Sequence, residues 1–417
     1  MDLRMKQINI VPPGEVDVRI TLPSSKSICN RALVINALAG GGLSLLSNLS
    51  ECDDTMVMVR ALREMPPVID IMAAGTAMRF LTAYLSAIPC GEHVITGTER
   101  MRQRPIRILV EALRQLGADI EYTGDEGFPP LRIKGKALQG GSVKLPGNVS
   151  SQYISALLMV GPALSDGLRL TLTGDIISRP YIDMTLDLMR TFGAKAEWSG
   201  ADRLEVSPVA YRTCKYSVES DWSAASYWYE IVSLSRAARV TLPGLKENST
   251  QGDSAIKELF GRLGVKTTFD EDGAVLTKAG RTVSKLEYDF TGQPDMAQTL
   301  VVTCAMMGIP FRFSGLKSLK IKETDRMAAL VKEMGKLGYV LTESDGSVLS
   351  WDGGRCDAAS DAATDTYQDH RMAMAFAPAA MKLGSMKIND PGVVSKSYPG
   401  FWDDLERADF ILSTLNP

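Results

Sequence analysis

The chain has only two histidines in 417 residues, and its six cysteines include no Cys-x-x-Cys pair. The first scarcity leaves little room for a Ser-His-Asp triad. The second denies both a zinc site and a disulfide frame their usual spacing, so no metal and no cofactor is expected. Cys29, Cys52, Cys90, Cys214, Cys304 and Cys356 are scattered, four of them in apolar surroundings, and read as reduced thiols of a cytosolic protein. No uncharged apolar run reaches the ~18 to 20 residues of a membrane span, and Met1 to Lys6 show no signal-peptide pattern. A cytoplasmic protein is expected. No Gly-x-x-x-x-Gly-Lys-Ser/Thr loop is present, which argues against an ordinary nucleotide site. A formal net charge of −3 supplies no global pull toward nucleic acid or acidic membranes. Any anion must therefore be met by a local basic cluster.

What is present is a repeat. Six segments open with small polar or charged residues and continue as an apolar helical run: 24–39, 75–87, 150–161, 221–234, 294–308 and 368–384. Their bodies are apolar nearly all round, so these helices should be buried rather than amphipathic. A second set of helices ends in a leucine-rich turn and a glycine, at Gly117, Gly193, Gly264 and Gly338. The stops recur about every 70 to 76 residues, a fixed period that marks repeated units. Short β-branched runs between them, such as 168–172 and 240–242, read as strands. The fold class is therefore α/β, with six buried helices suggesting two domains of three repeats. A single doubly wound sheet is the plainer alternative. The first repeat is short, with 63–70 standing where a strand pair belongs.

Cations gather at the openings of these helices: Lys26, Arg31, Arg79, Lys322, Arg326, Arg371 and Lys396, with Arg104 in an Arg-rich loop. Free backbone N–H groups and the helix dipole make an N-terminus an anion site, so convergent openings suit a ligand with several negative charges. Each residue also has a plainer role. A first-turn Lys or Arg is ordinarily solvated. Asp295 after Pro294 fits an N-cap, Glu323 fits a charge opposing its helix dipole, and His93 reads as structural.

In order along the chain these motifs resemble the EPSP synthase family. The resemblance rests on Leu-Pro-Ser-Ser-Lys-Ser at 22–27 with Asn30-Arg31, Ala-Gly-Thr-Ala-Met-Arg at 74–79 and Arg-Met-Arg-Gln-Arg-Pro at 100–105. It continues through Gly-Asn-Val-Ser-Ser-Gln at 147–152, Ser-Arg-Pro-Tyr at 178–181 and Pro294-Asp295. Lys-Glu-Thr-Asp-Arg at 322–326, Asp-His-Arg-Met at 369–372 and Val394-Ser395-Lys396 complete it. The resemblance implies two similar domains, each of three βαβαββ repeats around buried parallel helices. One would span 22–219, and the other 1–21 plus 220–417, with a ligand cleft that closes on binding.

It also implies transfer of the enolpyruvyl group of phosphoenolpyruvate to the 5-hydroxyl of shikimate 3-phosphate by a monomer, without nucleic-acid or membrane partners. Asp295 would be the base toward the hydroxyl, Glu323 the acid toward the methylene, and Lys26 would touch both ligands. Shikimate 3-phosphate would be held by Lys26, Ser27, Arg31, Ser150, Ser151, Gln152, Ser178, Tyr181, Asp295 and Lys322. Phosphoenolpyruvate would be held by Lys26, Gly75, Arg104, Gln152, Arg326, Arg371 and Lys396. Ala73 and Phe80 depart from the family's usual Asn and Pro, so glyphosate is expected to bind the phosphoenolpyruvate site more weakly than in a relative with Asn and Pro. Ser318 stands where an Asn often touches the shikimate phosphate and is left out of the site. The rivals are the related transferase acting on UDP-N-acetylglucosamine and a non-catalytic ligand-binding relative. The first typically has Lys-Asn and a loop cysteine, where this chain has Lys26-Ser27 and no cysteine in 100–105.

Overall fold

In the computed structural model, which describes residues 6–414, the chain divides into two compact units. One runs from Ser24 to Val218, and the other combines the N-terminal segment up to Pro23 with Glu219 onward. Each has its own apolar core.

The first unit is organised by three core helices: α1 (Lys26–Leu38), α2 (Gly75–Ala87) and α3 (Ser151–Val160). The second has α4 (Trp222–Leu234), α5 (Ala297–Met306) and α6 (His370–Phe376). The all-round apolar pattern has its physical outcome here. Every residue of α5 is buried, and in α2 only Thr76 is not. Some of the hydroxyls these helices carry bond their own backbones. Thr82 donates to the Met78 carbonyl at 2.6 Å, and Thr303 to that of Thr299 at 2.7 Å. Pro378 breaks the last run into α6, a 3-10 turn and the short helix Ala380–Leu383.

The second helix set forms an outer layer that includes Arg107–Gln115, Arg179–Thr191, Ile256–Arg262 and Arg326–Lys336. Each of these four is followed by its glycine with φ between 86° and 99°, the left-handed stop that a side chain would strain. The sheets repeat too. Leu286–Asp289 runs parallel to Phe311–Ser314, and the antiparallel strands Val348–Trp351 and Thr342–Ser344 complete that sheet. Val16–Arg19 begins another sheet of the second unit by pairing parallel with Ala238–Pro243. The N-terminal strand Gln7–Val11 lies between Met386–Asn389 and Ile411–Thr414, which ties the start of the chain to its end.

The first unit holds two four-stranded sheets and a two-stranded one, Leu46–Ser47 with Tyr216–Ser217. The helix Asp53–Glu64 ends in a left-handed Met65 and leads directly into Val68–Asp70. That strand belongs to the next sheet, paired with Gly91–Thr96. Among the described residues no hairpin follows Asp53–Glu64, and the sheet of Leu46–Ser47 and Tyr216–Ser217 has two strands where the other sheets have four.

Candidate active site

In the second unit the predicted residues gather around one buried guanidinium. Arg326 opens its helix and is 2% exposed. Its Nε donates to Asp369 Oδ2 at 2.6 Å and its Nη2 to Asp369 Oδ1 at 3.2 Å, a two-pronged pair. Nη1 reaches Asp295 Oδ1 at 2.8 Å, and Nη2 reaches Glu323 Oε2 at 3.0 Å. Burial alone would lower the Arg326 pKa, but Asp369, Glu323 and Asp295 outweigh it and raise it.

Two lysines and a second arginine finish the cluster. Lys322 Nζ lies 3.2 Å from Asp295 Oδ1, and Lys396 Nζ donates to Glu323 Oε1 at 2.8 Å. Arg371 Nη2 donates to Asp295 Oδ2 and to Ser223 Oγ, both at 3.3 Å. Burial pushes the Asp295 pKa up, yet Lys322, Arg371 and Arg326 together hold it well below the usual carboxylate range.

Neither carboxylate is a cap. Asp325 caps the Arg326 helix, accepting from the N–H groups of Met327 and Ala328 at 3.1 Å. Asp295 sits in a 3-10 turn ahead of α5. Asp369 lies outside the predicted set although it is the closest partner of Arg326. It caps α6 through the Arg371 N–H at 2.9 Å, and an Asp before a helix signals no more than that. Asp253, buried beside this cluster, accepts from the Ser223 hydroxyl; burial raises its pKa to about 6, against the opposing pull of Arg371.

In the first unit the predicted residues lie at the openings of α1, α2, α3 and the Arg179–Thr191 helix. Lys26 Nζ contacts Asp54 Oδ2 at 3.1 Å. Ser150 caps α3 by accepting the Gln152 N–H at 3.4 Å, and Gln152 Nε2 donates to Thr76 Oγ1 at 3.0 Å. Ser151 and Ser178 are buried, and Ser178 holds a left-handed φ of 55° just ahead of Tyr181. Side chains resist that conformation, and it tends to mark functional sites.

The Arg104 guanidinium lies against Gly75, where an added Cβ would stand 2.6 Å from Nη1. The bare glycine makes that approach possible. Two other cations of the first unit face inward. Arg31, 2% exposed, donates from Nε to Thr185 at 2.7 Å, from Nη2 to Ser155 at 3.0 Å and from Nη1 to the Ser27 carbonyl at 2.9 Å. Its guanidinium lies 5.2 Å from the centre of the Phe80 ring. Arg79 donates to the carbonyls of Gly75 at 3.0 Å and Pro105 at 3.2 Å, tying a loop to α2. His93 is held between the Pro66 and Cys90 carbonyls at 2.8 and 3.1 Å. Of the cysteines, Cys29, Cys52 and Cys304 are buried, Cys90 and Cys214 half-buried and Cys356 exposed, all as free thiols.

The profile of EPSP synthase (3-phosphoshikimate 1-carboxyvinyltransferase) matches residues 10–70 and 65–405. A Bacteroides fragilis protein named 3-phosphoshikimate 1-carboxyvinyltransferase is 59% identical over 398 residues, covering 95% of this chain and 97% of its own length. One from Aliivibrio fischeri with the same name is 34% identical over 436 residues, covering 97% of this chain and 99% of its own. Among solved structures, EPSP synthase from Acinetobacter baumannii superposes with a TM-score of 0.78 at 22% identity, over 98% of this chain and all of that one. The enolpyruvyl transferase NikO from Streptomyces tendae gives 0.71 at 16% identity, over 99% of this chain and all of that one. These two likenesses concern the fold. The profile and the sequence relatives span nearly the whole chain, and the chain belongs to the EPSP synthase family.

Proposed function

We infer that this chain transfers the enolpyruvyl group of phosphoenolpyruvate to the 5-hydroxyl of shikimate 3-phosphate, releasing phosphate. Beside family membership, the observation that carries the reading is the pairing of Asp295 and Glu323 on one buried arginine, each also touching a lysine. Two carboxylates on a shared cationic frame suit a reaction that moves protons at two atoms while handling anionic ligands.

In this reading Glu323 protonates the methylene carbon of phosphoenolpyruvate as the 5-hydroxyl oxygen attacks the neighbouring carbon. Asp295 accepts the hydroxyl proton. The tetrahedral adduct then returns a methyl proton to the Glu323 carboxylate and expels phosphate, which takes up the proton held by Asp295, and the carbon–carbon double bond is restored. Without ligand, a carboxylate held down by three cations is a poor base. Phosphoenolpyruvate supplies anionic oxygens that compete for Arg326, Arg371 and Lys396, and their partial transfer to the ligand raises the proton affinity of Asp295 and Glu323. Lys26, Gly75, Arg104 and Gln152 complete the contacts to phosphoenolpyruvate. Lys26, Ser27, Arg31, Ser150, Ser151, Gln152, Ser178, Tyr181, Asp295 and Lys322 bind shikimate 3-phosphate.

The chain is taken to act as a cytoplasmic monomer; among the described residues no helix is long and apolar enough to cross a membrane. Phosphate release from phosphoenolpyruvate, measured with each acceptor in turn, tests the reading. Shikimate 3-phosphate should support turnover and UDP-N-acetylglucosamine should not. The opposite pattern would overturn it.

A further inference from the structure

We propose that Tyr153 is a positioning residue for Arg104, acting through the Pro105 carbonyl; the proposal rests on the reading that Arg104 holds phosphoenolpyruvate. Tyr153 follows Gln152 in the first turn of α3, and its side chain is buried. Its hydroxyl donates to the Pro105 carbonyl oxygen at 2.5 Å. The same oxygen accepts from Arg79 Nη2 at 3.2 Å, and the Arg79 guanidinium lies 5.6 Å from the centre of the Tyr153 ring.

Proline has no N–H, so the carbonyl is the only polar backbone group at position 105. It is also the group that follows Arg104 in the chain. Upstream, the Arg104 N–H reaches only its own loop, at the Met101 carbonyl, 3.0 Å away. Downstream, the Ile106 N–H is bound to the Gly127 carbonyl at 2.9 Å. The two donors on Pro105 therefore join the arginine loop to α2 and α3, the helices that carry Gly75 and Gln152. Arg104 must stay within a close fit against Gly75. A loop freed by a few tenths of an ångström would lose that fit, although Tyr153 itself touches no ligand.

Tyr153→Phe deletes one hydroxyl and keeps the ring under Arg79. The KM for phosphoenolpyruvate should rise by about 3- to 10-fold, the range for one lost hydrogen bond. The KM for shikimate 3-phosphate should stay within about twofold and Tm within about 2 °C. In an Arg104→Gln background the same change should add almost nothing, because the two act in series. An unchanged phosphoenolpyruvate KM in Tyr153→Phe, or an equal rise in both KM values, overturns the proposal while Arg104→Gln still raises that KM. Should Arg104→Gln leave the KM for phosphoenolpyruvate unchanged, the underlying role of Arg104 falls as well.

Discussion

In the unit formed mainly by residues from Glu219 onward, Arg326 is ringed by Asp369, Asp295 and Glu323, while in the other unit Arg31 is held by two hydroxyls, a carbonyl and an aromatic face. Both guanidiniums are 2% exposed. Burial lowers the Arg31 pKa to about 10, whereas the carboxylates around Arg326 raise its pKa despite the same penalty. The difference teaches what each can do. Arg31 keeps a positive charge that no carboxylate touches among the described residues, so an anion nearby meets a cation already desolvated and oriented. Arg326 spends four of its five N–H groups on acids, so an anion that draws its charge away weakens its hold on them, and such an exchange would prepare an acid or base for proton transfer.

The sharpest way to break the comparison is to remove each cation. Arg326→Met leaves three acids without their shared partner and should cost about 3–5 kcal/mol in urea unfolding. Arg31→Met should cost under about 1.5 kcal/mol. Its former partners keep each other, Ser155 and Thr185 lying 2.8 Å apart. Equal losses would erase the distinction. Next come the acids: Asp295→Asn and Glu323→Gln should each lower kcat by roughly 10²- to 10⁴-fold with modest changes in ligand affinity. Steady-state and binding measurements with both substrates check this.

Much of the fold is legible in the sequence because it is local. The left-handed stops at Gly117, Gly193, Gly264 and Gly338 and the all-round apolar bodies of α2 and α5 need no partner to be recognised. The site is legible only in part. Asp369 looks like a cap and is one, yet the same carboxylate takes two donors from Arg326, 43 positions away. Arg79 reads as another cation at a helix opening, but its donors go to the Gly75 and Pro105 carbonyls. Phe80 reads as a departure in the wall of the phosphoenolpyruvate pocket, and no periodicity places its ring beneath Arg31. Such pairings depend on which helices pack together, which local pattern does not encode.

That aromatic face gives a smaller test. Phe80→Leu removes the cation–π contact, about 0.5–2 kcal/mol, and should raise the KM for shikimate 3-phosphate several-fold while leaving that for phosphoenolpyruvate in place. A shift in the phosphoenolpyruvate KM alone would mean that Phe80 acts on the other ligand.

The smallest effect concerns pH. Burial raises the Asp253 carboxyl to about 6 from 3.8, so its contribution to stability is fully present below about pH 4 and lost as pH rises through about 6. Asp295 runs the other way. Its depressed pKa contributes stability above about pH 4 that is lost only as pH falls further. Asp253→Asn should therefore flatten the decline in unfolding free energy between pH 4 and 6 by on the order of 1–2 kcal/mol. Urea titrations across that range would show it, and an unchanged slope would remove Asp253 from the account.

If phosphoenolpyruvate draws Arg326 and Lys396 off the acids, as the proposed function has it, binding of phosphoenolpyruvate or an unreactive analogue should take up protons. Calorimetric titration of the analogue in two buffers of different ionisation enthalpy, with shikimate 3-phosphate present, counts those protons. Comparing the parent with Glu323→Gln cancels the ligand's own ionisation. If the cations move from acid to ligand, the parent should take up more protons than the variant. Equal uptake in the two proteins would contradict the exchange.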